Sequence, residues 1–193
     1  MTETPSPRGA GDPRVALSRQ LILRAALDEL GAVGYGAFTI ESIAARSGVA
    51  KSTIYRHWPN KLALIAEAFE TFHEQERPDI EGGSARERTQ RIVRHVAEMV
   101  ASSTFSACIP ALIDGAERAT ELRTFHHRFQ LEARKPLVAV IAEGVVAGDF
   151  RVDLDPQLAA QALLGAIFYR RLMSGEPFDP DEAGELLNVV LGG

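Results

Sequence analysis

Apolar residues recur at steps of three and four along nearly the whole chain, and no run of β-branched residues alternates with period two. A helix turning every 3.6 residues places such positions on one face, so the pattern describes helices packed by their apolar stripes and predicts an all-α fold. The first stripe is Val15, Leu17, Leu21, Ile22, Ala25, Ala26 and Leu30, and the glycines of 31–36 are expected to end that helix. Gly31, Gly34 and Gly36 lack the spacing of a dinucleotide-binding fingerprint and follow a helix rather than a strand. Thr39, with Ser42 as second candidate, caps a short helix whose stripe is Ile40, Ile43 and Ala44. Ser47-Gly48-Val49 makes a turn, and Ala50 or Lys51 opens a two-turn helix running to about His57. Pro59 and Asn60 break it before a fourth helix bearing Leu62, Leu64, Ile65, Ala68, Phe69 and Phe72.

The Pro- and Gly-containing segment 77–84 is expected to be a linker or loop. Beyond it the periodicity predicts a long helix through Ile92, Val96 and Val100, and another over 107–119 with Pro110 in its first turn. A helix over 121–147 should be kinked by Pro136 and capped by Gly148. Asp153 or Asp155, followed by Pro156, starts the next, and 179–191 is the last.

Charge divides the chain unevenly. Residues 1–61 hold eight Lys/Arg against five Asp/Glu, a net of +3, whereas 62–193 carry −8, which together give the overall −5. A local positive face is what a polyanion requires, since Lys and Arg gain by displacing its counterions, so the asymmetry permits a nucleic-acid partner that the total charge argues against. The single cysteine, Cys108, excludes an internal disulfide framework and fits a reducing compartment. No segment reaches the roughly 18 apolar residues of a membrane span, and 1–13 reads as a disordered leader with no secretory h-region. The expectation is a cytoplasmic protein with no membrane partner. It divides into the leader 1–13, a helix-turn-helix domain over 14–61 and a helical domain over 62–193.

The stretch from Phe38 to Lys61 carries the chemistry. Two short helices around a Gly-containing turn have the form of a helix-turn-helix, with Ile43, Val49 and Ile54 as its small core. Lys51, Ser52, Thr53, Tyr55, Arg56 and His57 remain for the outer faces of the second helix, which can enter a major groove and touch bases and phosphates.

This segment, from about Val15 to Phe69, resembles the N-terminal domain of the tetracycline-repressor (TetR) family. The resemblance lies in Gly34-Tyr35, Phe38-Thr39-Ile40, Ile43-Ala44, Gly48-Val49 and Ile54-Tyr55, followed by Trp58-Pro59-Asn60-Lys61-Leu62. Trp58 stands where the family usually has Phe. A weaker likeness to one subgroup of the family runs through Gly148-Asp149-Phe150-Arg151, Asp155-Pro156, Gly165 to Arg170 and Gly175-Glu176-Pro177. The resemblance implies a repressor released from a palindromic DNA operator by a small-molecule effector. It also implies a homodimer through a four-helix bundle of the last two helices, with reading heads about 34 Å apart.

By the same resemblance Thr39 binds a phosphate through its hydroxyl and the helix N-terminal amides, besides or instead of acting as an N-cap. Lys51, Ser52 and Thr53, opened by Ala50, are the base-edge candidates. Tyr55 and His57 are assigned to phosphates, with packing against the first helix as the alternative for Tyr55. Arg56 is open to either role, and Lys61 anchors the flanking phosphate. The middle helices are implied to enclose an effector pocket, for which His95, Met99, Phe105, Cys108, Ile109, Leu112, Phe125, Phe129 and Phe168 are candidate lining, with His126 and Arg128 as further polar groups. The competing reading of these residues is a packed core with surface histidines.

An enzyme lacks its parts in this sequence. Cys108 has no His/Asn arrangement near it, and adjacent His126 and His127 point to different helix faces and make a poor metal pair. Asp149, Asp153 and Asp155 lack the Gly and Glu of a calcium loop and read as cap and turn. No cofactor and no metal are expected.

Overall fold

The computed structural model describes residues 13–74, 78 and 80–192, and over these the chain is helical, with no strand. The leader expected over 1–13 lies outside the described residues except for Pro13, as does part of the 77–84 linker. The helices are α1 (Pro13–Ala37), α2 (Ile40–Ser47), α3 (Lys51–His57), α4 (Lys61–Glu74), α5 (Ala85–Ser102), α6 (Thr104–Arg118), α7 (Thr120–Ala147), α8 (Pro156–Tyr169) and α9 (Ala183–Leu191). A π-helical turn, Arg170–Ser174, continues α8, and a 3-10 turn, Pro180–Glu182, leads into α9.

One expectation about a helix end is corrected and another is made specific. The glycine run expected to end the first helix does break it. Gly31 stays helical, where an added Cβ would lie 3.3 Å from Ala107 Cβ of α6, and the backbone leaves helical geometry at Gly34, φ 74° and ψ 170°. The sixth helix begins at Thr104, because the Ser103 hydroxyl caps it through Ser106 N. Pro110 therefore sits inside the helix rather than in its first turn. Proline has no N–H for the carbonyl four residues back. That carbonyl, on buried Ser106, instead accepts from Arg171 Nη2 at 3.4 Å while Arg171 Nε donates to the Ser106 hydroxyl at 2.8 Å. In α7, Pro136 lies on the exposed side of one 28-residue helix, where water can serve the carbonyl of Glu132.

Two of the three aspartates after α7 act in caps, while Asp153 pairs with Arg151. Asp155 accepts from the amides of Gln157 and Leu158 at the start of α8. Asp149 reaches across the fold to accept from Ala85 N at 3.0 Å, beside the Ser84–Glu87 capping box that opens α5. The C-terminal end of α7 is locked to α5 by the same loop. Phe150 packs over Gly144 so closely that a Cβ there would lie 2.4 Å from its ring.

A single hydrophobic core runs through both halves of the molecule, from Ile22, Leu30, Ile43 and Ile54 to Val93, Leu122, Ile141, Leu163 and Leu187. The bridge is α4. Leu64 and Ile65 are fully buried, and Phe69 and Phe72 enter an aromatic cluster with Phe105, Phe125 and Phe129. The edge-on packing of Phe69, its ring 5.4–6.2 Å from those of Phe105, Phe125 and Phe129, favours this arrangement beyond simple area burial. The helix that follows the reading head is thus anchored inside the larger half.

Candidate nucleic-acid interface and ligand cavity

The helix-turn-helix is built around Ile43 and Ile54, both fully buried, with Val49 half-buried against them. Gly48 takes a left-handed conformation, φ 70° and ψ 12°, and its N–H closes α2 on the carbonyl of Ala44. This conformation is costly for any side chain, so the turn demands glycine. Arg46 donates to Glu29 Oε2 through Nε and Nη2 at 3.0 and 2.8 Å, fixing α2 against α1. The Ser42 hydroxyl and the Arg46 guanidinium hold the Glu29 carboxyl below the usual range.

Lys51, Ser52, Tyr55 and Arg56 stand exposed on one end and flank of α3, with Thr53 and His57 half-buried beside them and Ala50 exposed at its N-cap. Tyr55 is 49% exposed, which leaves about half of it open to a ligand at this surface. The Lys51 ammonium is held by Glu41 of α2 at 2.5 Å, an exposed pair that lowers the Glu41 carboxyl's pKa. Thr39 is an N-cap, its Oγ1 accepting from Ser42 N at 3.1 Å, and it lies exposed at the same surface.

Two residues are placed differently from a simple groove-facing set. Lys61 is half-buried and turned onto the protein, donating to Tyr35 O at 3.0 Å with its ammonium 4.0 Å from the centre of the Tyr35 ring. Two of its three donors remain for another acceptor. Trp58 is almost fully buried, and its indole N–H, which a phenyl ring would lack, donates to Glu67 Oε2 at 2.9 Å. Arg19 lies over the Trp58 ring and pairs with Glu67 at 2.6 Å. The larger ring is accommodated because α1 and α4 supply it with a polar partner.

In the larger half, α4–α8 and the residues before α5 surround a cavity of about 660 Å³. Five of the candidate pocket residues line it: His95, Met99, Phe105, Phe129 and Phe168. The other four do not. Cys108, Ile109 and Leu112 are buried in the core on α6, with Cys108 Sγ donating to Leu27 O of α1 at 3.2 Å, and Phe125 packs on Phe69. Helical register decides this, because α6 turns its Cys108 side toward α1 while Phe105 alone reaches the cavity. His126 is half-buried beside Gln130, burial holding its pKa below the ordinary value, and Arg128 is exposed. Sequence reasoning missed Phe72, Ile92, Val96, Gln130, Arg134 and Leu164. Their stripes were visible, but which side of each stripe faces a void depends on how five helices are set together.

A basic, exposed recognition helix on a helix-turn-helix, joined by α4 to a helical body enclosing a cavity, defines a class: the bacterial one-component DNA-binding regulators. Two family models place the chain further. Residues 22–68 match the bacterial regulatory proteins of the tetR family, and residues 79–190 match the tetracyclin repressor-like C-terminal domain. The chain belongs to the TetR family of transcriptional regulators. It is 30% identical to the HTH-type transcriptional regulator YdeS of Bacillus subtilis, over 92% of this chain and 89% of that one. It is 29% identical to the DNA-binding transcriptional repressor TetR of Mycobacteroides abscessus, over 88% and 90%. The fold is shared with FadR of Bacillus subtilis in complex with stearoyl-CoA, at a TM-score of 0.74 and 23% identity, over 90% of this chain and 98% of that chain. No single helix among the described residues is long and apolar enough to cross a membrane.

Proposed function

We propose that the protein is a cytoplasmic, homodimeric repressor that reads a palindromic operator with α3 and leaves it when a small molecule fills the cavity. The observation that carries this is the path from reading head to cavity through one helix. α4 begins four residues after α3 ends and inserts Phe72 into the cavity wall. A ligand displacing that wall acts on α4, and so on the spacing of two α3 helices, a coupling typically worth about 1–3 kcal/mol. In this reading Lys51, Ser52 and Thr53 meet base edges, while Thr39, Tyr55 and His57 hold phosphates. Ala50 allows close approach, Arg56 serves either contact, and Lys61 supplies its remaining donors to the flanking backbone.

Dimerisation through the last helices is supported by what one protomer leaves uncovered. Leu158, Ala162, Gly165 and Tyr169 share one exposed stripe of α8, and Met173 and, on α9, Val189 are exposed with them. Among the described residues nothing lies within 4 Å of a Cβ built on Gly165, so that face is open to a partner helix.

The test is selection of genomic fragments by the purified protein at a stated salt concentration. One palindrome should be enriched and lost in Lys51→Ala, with Tyr55→Phe weakening retention. Enrichment of nothing above non-specific binding, with and without candidate effectors, would sink the repressor reading.

A further inference from the structure

The cavity is not uniformly apolar. Its body is formed by Phe72, Met99, Phe105, Phe129 and Phe168, but one stretch of its wall belongs to α7, where Glu132, Arg134 and Lys135 stand together. Lys135 Nζ contacts both Glu132 oxygens at 2.7 Å, so that pair is internally neutral. Arg134 is half-buried and makes no hydrogen bond or ion pair among the described residues. The wall therefore presents an apolar chamber with one uncompensated guanidinium. A cation left part-way out of water without a partner is unfavourable, and a planar fork of N–H donors fits a carboxylate in two parallel bonds. At roughly 30 Å³ per water-sized group, 660 Å³ admits on the order of twenty non-hydrogen atoms.

We propose that the effector is an apolar monocarboxylate of about this size, its body against the phenylalanines and its carboxylate on Arg134. The inference rests on the effector-responsive reading above and deepens it by naming the ligand's class. Among the described residues the lining offers a single uncompensated positive charge. Among the described residues it has no cluster of bases such as a nucleotide diphosphate would require, so the free acid is favoured over its coenzyme A thioester.

Calorimetric titration of the intact protein with tetradecanoate, tetradecanol and tetradecanoyl-CoA, each below its aggregation threshold, tests the proposal. Tetradecanoate should bind at least about ten-fold more tightly than the alcohol, as a charge-assisted contact implies. Arg134→Gln should abolish that preference while leaving alcohol binding and the thermal transition unchanged, and Arg134→Lys should retain part of it. Equal binding of acid and alcohol overturns the anion clamp. Tighter binding of the thioester overturns the choice of ligand, and binding of none of the three overturns the apolar class. Operator release is measured separately on the selected DNA. Tetradecanoate binding without release leaves the ligand assignment standing and removes the effector role, whereas operator binding without tetradecanoate binding removes only the ligand assignment.

Discussion

At the scale of single residues, the reading head holds its own charge in check. Lys51, the first residue of α3, is paired with Glu41 at 2.5 Å, and both are exposed. To contact a base or phosphate the ammonium must leave that carboxylate, which also repels the DNA. Glu41→Ala should therefore tighten operator and non-specific binding a few-fold, with the gain shrinking as salt screens it. Gel-shift titrations at two salt concentrations check this, and unchanged or weaker binding would show that Glu41 positions Lys51 instead. Cys108 behaves in the opposite way, as a group withdrawn from chemistry. Burial, with the Asp28 carboxylate adding to it, pushes its thiol up to about 12. The native protein should resist iodoacetamide at pH 8 and react only when unfolded by denaturant, which mass spectrometry reads directly.

Between elements, the decisive contacts are close approaches. Gly115 of α6 lies where α1 and α7 converge, and a Cβ there would fall 2.8 Å from Tyr35 Cβ and 2.5 Å from Leu122 Cδ2. Tyr35 in turn donates its hydroxyl to Glu121 Oε1 at the start of α7, 2.6 Å away, while its carbonyl accepts from Lys61 at the start of α4. One tyrosine joins the helix leading into the reading head to the body of the protein. Leu122 can swing aside, but the Tyr35 Cβ is fixed to the backbone. Gly115→Ala should cost about 1–3 kcal/mol through overpacking. The change is read as a lower Tm, and a neutral result would mean that α6 and α1 slide apart freely.

At the scale of the whole molecule, the exposed α8 stripe should decide assembly. Leu158 and Tyr169 are 64% and 63% exposed, so charging them leaves the protomer's core intact. The double variant Leu158→Glu/Tyr169→Glu should be monomeric in sedimentation, keep its helical content, and lose binding to the palindrome while keeping weak non-specific binding. A variant that remains dimeric would place the interface elsewhere. The aromatic continuity from Phe69 and Phe72 to Phe105 and Phe129 is what makes such a dimer responsive, because the cavity wall and the helix behind the reading head share side chains.

What could be read without coordinates was the part set by local physics. Helix periodicity, the Gly48 turn, the Asp155 cap and the basic outer face of α3 depend on residues within a few positions of one another, and each stands as the spacing implied. The start of α6 was misplaced for the complementary reason. Pro110 is tolerated inside α6 because Arg171, sixty-one positions later, takes the carbonyl it frees. The cavity belongs to the same category. Phe105 and Cys108 sit one turn apart on α6, both apolar and both buried, yet one faces the void and the other faces α1. A void is the space that several helices leave between them, and no single helix's sequence encodes which of its buried faces will border it. Arg134 appears as one more polar residue on a long helix until the fold sets it beside four phenylalanines.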